Sequence, residues 1–256
     1  MNEIPDTSGW SKTWHLNFTA FQDALKTSEA NEEVKKINKL ILTLGQTLIT
    51  FGKMPNFFDE NREVNPRYSQ SLIFTSFVEL LRSLHQTVFL IACYLYKNAN
   101  HNIRYSLEFI LQSYYIDEKF PNNDFSERIK ALREIEDKPK YRGSALVNEL
   151  NIPIEIKKHI KKVYKNLHKK VHANHEQFYL TAYHVMDTKH QSIFFNENEL
   201  KRISKQIFNV LDFFYFLLLT RFPELKNRLL RNKDFTDSIE IIDMPLTFDK
   251  LMGNIP

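Results

Sequence analysis

Glycine is scarce in this chain, at 5 of 256 residues. Tight hairpins and phosphate-cradling loops rely on glycine for positive φ, so a β-rich fold or a P-loop is disfavoured. Cysteine is rarer still, with Cys93 alone. An intrachain disulfide is therefore excluded, and a reducing compartment, the cytoplasm, is the expected setting. Cys93 lies in the apolar run 88–96 and reads as a small buried hydrophobe rather than a nucleophile. Long apolar runs are missing too. A spanning helix needs ~20 apolar residues. The run 88–96 is followed by Lys97 and Asn98, and the run 213–219 is bracketed by Asp212 and Arg221. Both read as core helices, and no membrane partner is expected. Residues 1–9 are polar and carry no signal-peptide core.

Aromatic residues are plentiful, with 21 Phe and 11 Tyr. Each buried aromatic removes roughly 150–250 Å² from water, so they supply much of a core. Apolar residues recur at three- and four-residue spacing through most of the chain, which predicts an all-α fold. Residues 1–14 read as an arm anchored by Trp10 and Trp14. Asn31 is placed to cap a helix over 31–50. Two long helices are expected at the centre, over 68–98 and 102–117, with a break at 100–102. Asp124 is placed to cap a short helix over 125–136. Pro153 suits the first turn of a helix running to about residue 183. Asn196 and Glu199 resemble a capping box opening a helix to 221. The stretch 234–256, interrupted by Pro245, is expected to be an irregular tail. The whole reads as a single domain, an antiparallel helical bundle without internal repeats.

The formal net charge is only +4, but its distribution is uneven. Residues 157–175 hold seven lysines and no acidic residue. Ile160, Tyr164, Leu167 and Val171 repeat at helical spacing and form one apolar stripe. Lys158, Lys162, Lys165, Lys169 and His172 repeat at the same spacing on a different face, with Lys170 beside them. Clustered lysines repel one another unless counterions or phosphates neutralise them, so this face points to a polyanion. A solvated lysine face is the plainer alternative.

Within this helix, Lys165-Asn166-Leu167-His168-Lys169-Lys170-Val171-His172 resembles the active-site motif of the HEPN superfamily: an arginine, often followed by a polar residue, then four to six residues, then histidine. The resemblance extends loosely over residues 68–222. It implies a small helical bundle, often a homodimer. Many members cut RNA without a metal, in defence or toxin–antitoxin settings, and others only bind or scaffold. By this resemblance His172 would handle the proton at the 2′-hydroxyl or leaving oxygen, Lys165 would stabilise phosphate charge, and Asn166 would orient. Lys165 stands where the family has arginine, and lysine lacks arginine's bidentate fork.

A second constellation joins two helices. Arg104 and Glu108 are four apart and share a face. Tyr164-x-x-Leu-His-x-x-Val-His172 resembles a Tyr-x-x-Leu-Ser-x-x-Val-His pattern of helical HEPN-like proteins, with His168 in place of the serine. These residues would form either a polar site or a hydrogen-bonded cluster that fixes helix register. His168, His172 and His175 also share a face at zinc-binding residue types, but a tetrahedral site usually draws on more than one element, so no metal and no cofactor is expected. Three functional expectations follow: a HEPN-like protein that binds or cleaves RNA; a non-catalytic interaction protein whose basic helix docks an acidic protein or nucleic acid; or, should the histidine face hold zinc after all, a metal-dependent hydrolase using the His168–His175 face.

Overall fold

The computed structural model describes Asp23, Lys26 and residues 31–136, 138–171, 196–242 and 244–255. Over these residues the protein is all-helical, a bundle without a β-sheet; an isolated bridge pairs Phe58 with Val64. The elements are α1 (Glu32–Gly52), α2 (Pro66–Ser69), α3 (Leu72–Ala92), α4 (Tyr96–Lys119), α5 (Phe125–Glu136), α6 (Gly143–Glu149), α7 (Ile154–Val171), α8 (Glu197–Arg221), α9 (Lys226–Leu230), α10 (Lys233–Ile242) and α11 (Pro245–Met252).

Local signals start most of these helices where polar caps stand. Asn31 Oδ1 accepts from the backbone N–H groups of Glu33 and Val34, at 2.9 and 3.4 Å. Those donors have no partner inside the helix, so the cap satisfies them. At α5, Glu127 N–H donates to Asp124 Oδ1 and Asp124 N–H donates to Glu127 Oε2, a reciprocal capping box. At α8 only half of the expected box forms. Asn196 Oδ1 accepts from Glu199 N–H, but Asn196 N–H turns instead to the Tyr96 hydroxyl, and the Glu199 carboxylate pairs with Arg202.

The two central helices lie side by side as an antiparallel pair. The start of α3 meets the end of α4 at Leu72 and Asp117; further along, Ser83 meets Ser106 and Thr87 meets Asn102. Their break lies at 93–95, earlier than the expected 100–102. Tyr94 takes a positive φ of 58° there, and Leu95 N–H closes the turn on Leu90 carbonyl oxygen. Asn100 and Asn102 are accommodated within α4 because their side-chain amides find acceptors: Asn100 donates to Tyr96 carbonyl oxygen, and Asn102 to Ser83 carbonyl oxygen and Thr87 Oγ1.

Among the described residues one helix, α8, is long and apolar enough by length and composition to cross a bilayer, yet most of that apolar stretch is buried inside the bundle. Phe213, Phe214, Phe216, Leu217 and Leu218 are wholly inaccessible. Full burial of such side chains contributes about 1.5–3 kcal/mol each, which places α8 at the centre. The C-terminal stretch differs from the expected irregular tail, since it forms α10 and α11. Asp212, buried on α8, accepts from Leu246 and Thr247 N–H at 3.1 and 2.7 Å and so caps α11, with Pro245 in the first turn, where it is tolerated. Thr43 and Ser238 join α10 to α1 at 3.0 Å.

Candidate nucleic-acid interface

Helix α7 has two unlike faces. Ile156, Ile160, Val163, Tyr164 and Leu167 are buried against the bundle. Lys158, Lys162, Lys165, Asn166 and Lys169 are exposed. Its one acidic residue, Glu155, stands in the first turn and pairs with Lys158 at 3.2 Å. Lys157 and Lys161 reach back to Asn148 on α6, at its carbonyl oxygen and its side-chain oxygen. The side chains of Lys162, Lys165 and Asn166 make no hydrogen bond or ion pair among the described residues. His172, His175 and the side chain of Lys170 lie outside the described residues, and so does the expected continuation of this helix to residue 183.

The second constellation is assembled by the antiparallel packing of α4 on α7. Tyr164 donates its hydroxyl proton to Glu108 Oε1 at 2.5 Å, and Arg104 Nη2 donates to the Tyr164 hydroxyl at 2.9 Å. Arg104 also reaches Glu108 Oε1 through Nε and Nη2, both at 3.3 Å, and its guanidinium lies over the Tyr164 ring, 5.3 Å from the centroid. Burial and the neighbouring Glu108 carboxylate push the Tyr164 hydroxyl up to about 12, while Arg104 pulls the other way. The hydroxyl therefore stays protonated and holds the two helices together. Charge within the cluster is balanced, since the cation of Arg104 meets the anion of Glu108.

Two cavities flank this cluster and share Arg142 in their walls. The first, of about 470 Å³, lies between α6 and α7 and is lined by Arg142, Lys161, Tyr164, Lys165 and His168. Four basic side chains besides Tyr164 therefore border it. The His168 ring stacks on Tyr164, with centroids 6.2 Å apart. The second, of about 450 Å³, lies between α4 and α5 and includes Arg104, Glu108, Arg133 and Arg142.

Lys165 thus sits at the rim of a cationic hollow, with Asn166 exposed beside it in sequence, and Tyr164 joins Arg104 and Glu108 behind it. Lys158, Lys162 and Lys169 continue the exposed face along the helix. No sequence pattern singles out Arg142, Lys161 or Arg133. Arg142 and Gly143 lie in the break after Pro139, where no periodicity places a residue against α7. Gly143 at φ 53° is the single local signal, because a tight approach there needs the missing side chain. Among the described residues no group of three or more His, Cys, Asp or Glu is placed to hold a metal ion. Comparison with protein families, curated proteins and solved structures finds no match for this chain.

Proposed function

We propose that this protein binds RNA through the lysine face of α7, and that the Lys165–His172 motif adds metal-independent cleavage. The observation that carries the reading is the exposure of Lys162 and Lys165, without a partner among the described residues, beside a hollow bordered by Arg142, Lys161 and His168. Packed cations of one sign favour an anionic polymer that releases its counterions on binding. The resemblance of residues 165–172 to the HEPN motif supports RNA as that polymer, and supports a homodimer, since such sites form between two chains. Sedimentation at several concentrations tests the dimer.

Binding to a labelled single-stranded RNA, measured across a range of salt, tests the first part: affinity falls steeply with salt and falls further in Lys165→Ala. Cleavage that persists in EDTA and vanishes in His172→Ala supports the second part. Absence of RNA binding at low salt overturns the reading. The balanced Arg104–Glu108–Tyr164 cluster favours a second reading, in which the protein is not catalytic and the same basic face docks an acidic protein or nucleic acid. Binding without cleavage selects it.

A further inference from the structure

The groove between α4 and α5 has a composition unlike the lysine face. Tyr105 and Phe109, one turn apart on α4, stack at 6.1 Å and 16°, and Tyr105 is 44% exposed. Ile129 and Leu132 supply an apolar wall from α5. Arg133 rises beside them, exposed and with no hydrogen bond or ion pair among the described residues. Arg142 stands at the far end, its Nε donating to the Glu136 carbonyl oxygen at 2.7 Å, where the groove meets the cavity bordered by Lys165. Glu108, held by Arg104 and Tyr164, and Glu136 also line the groove. A planar ring against an exposed aromatic, with the Arg133 guanidinium within the same hollow, is the chemistry that holds a nucleobase and its phosphate. A volume of about 450 Å³ accommodates one such unit and little more.

We infer that the α4–α5 groove is a base-stacking subsite, in which one unpaired nucleotide of a bound strand lays its base on Tyr105 and its phosphate near Arg133, while the neighbouring phosphates cross Arg142 to the lysine face. The inference rests on the RNA-binding reading, because the strand it seats is the one held by α7. A strand is favoured over a free nucleotide by continuity: Arg142 lines both hollows, so a single polyanion can occupy the two together. A paired base is excluded by geometry, since its face is covered within the duplex stack.

The test uses the full chain and a short single-stranded RNA carrying one 2-aminopurine, whose fluorescence is quenched when the base stacks. Polarisation of a second label reports binding separately. The wild type is expected to bind and to quench. Tyr105→Ala should lose the quench and weaken binding about fivefold or more, the effect of one lost base–aromatic stack. Tyr105→Phe should keep the quench, and Arg133→Ala should weaken binding while helical content by circular dichroism stays unchanged. A blunt duplex of the same sequence should be indifferent to Tyr105→Ala. Binding without quench on the wild type, or a quench unchanged in Tyr105→Ala, overturns the subsite and leaves the lysine face standing. No binding in polarisation overturns the RNA reading itself. Full displacement of the strand by millimolar 5′-AMP would make the groove a free-nucleotide site and overturn the strand assignment.

Discussion

The ring of Tyr164 lies directly over Gly143: a Cβ added at that glycine would meet the Tyr164 Cζ at 2.4 Å. Ring carbons held by Arg104 and Glu108 cannot retreat without breaking two helix–helix contacts. Gly143 also takes a φ of 53°, a conformation that costs a residue with a side chain about 1–3 kcal/mol. Gly143→Ala should therefore destabilise the protein by at least that amount and turn Tyr164 away from the cluster. Urea unfolding measures the first effect. Near-ultraviolet circular dichroism, sensitive to tyrosine packing, measures the second; an unchanged spectrum would mean that the ring moves freely.

Asp117 and Arg128 form a different kind of junction. Both are buried, and Arg128 Nη1 donates to Asp117 Oδ1 at 2.7 Å. The same carboxylate accepts from Leu72 and Ile73 N–H and from the Ser71 hydroxyl, so it also caps α3. Removing one member of such a pair strands a charge away from water, at about 3–5 kcal/mol. Asp117→Ala should lower the unfolding free energy by that order, since it strands Arg128 and uncaps α3, and Arg128→Met by less, since the Asp117 carboxylate left behind still accepts from Ser71, Leu72 and Ile73. Equal and small effects in both would show that water enters and solvates the remaining group.

The Tyr164 hydroxyl offers a spectroscopic check. A tyrosine in the unfolded chain ionises near 10, and this one is held up to about 12. The native state therefore keeps a proton that the unfolded state has lost in this interval. Its contribution to stability is fully present below the unfolded value and is lost as pH rises through the folded one. Tyr96, Tyr114 and Tyr115 are raised similarly, so the alkaline limb is shared. The wild-type minus Tyr164→Phe difference in tyrosinate absorbance isolates this group and should show a midpoint well above 10. A midpoint at 10 would mean that the hydroxyl is solvated and the hydrogen bond to Glu108 is not kept.

How much of this was legible beforehand follows the range of each interaction. Caps at Asn31 and Asp124 act over three residues, and both were readable. The two faces of α7 follow from a 3.6-residue period, and the burial of Ile160, Tyr164 and Leu167 and the exposure of Lys158, Lys162, Lys165 and Lys169 accord with it. Register between helices is set by long-range pairs such as Leu72 with Asp117, which no local pattern encodes, so the helix break was placed several residues late. The C-terminal stretch reads as irregular from its sequence because the start of its last helix depends on Asp212, 34 residues from Leu246. Arg104, Glu108 and Tyr164 were grouped through a family resemblance. The flanking hollows were invisible, because Arg142 comes from a segment with no periodicity.

The lysine face gives the sharpest quantitative expectation. Neutralising a phosphate on single-stranded RNA adds about 0.7 to the magnitude of the slope of log affinity against log salt. Lys162 and Lys165 stand one turn apart on the exposed face, with no acidic partner among the described residues to absorb their charge. The double reversal Lys162→Glu, Lys165→Glu should thus lower that magnitude by roughly 1.4 if each contacts one phosphate, and weaken binding at low salt more than at high salt. Charge reversal of Lys35 and Lys36 on α1, far from the hollow in sequence and already paired with Glu32 and Glu33, should change the slope little. Equal losses in the two double variants would mean that net charge alone drives association and that no defined face exists. A lost slope at α7 with an intact one at α1 would instead locate the polyanion along the helix, because counterion release counts only the cations that touch phosphate.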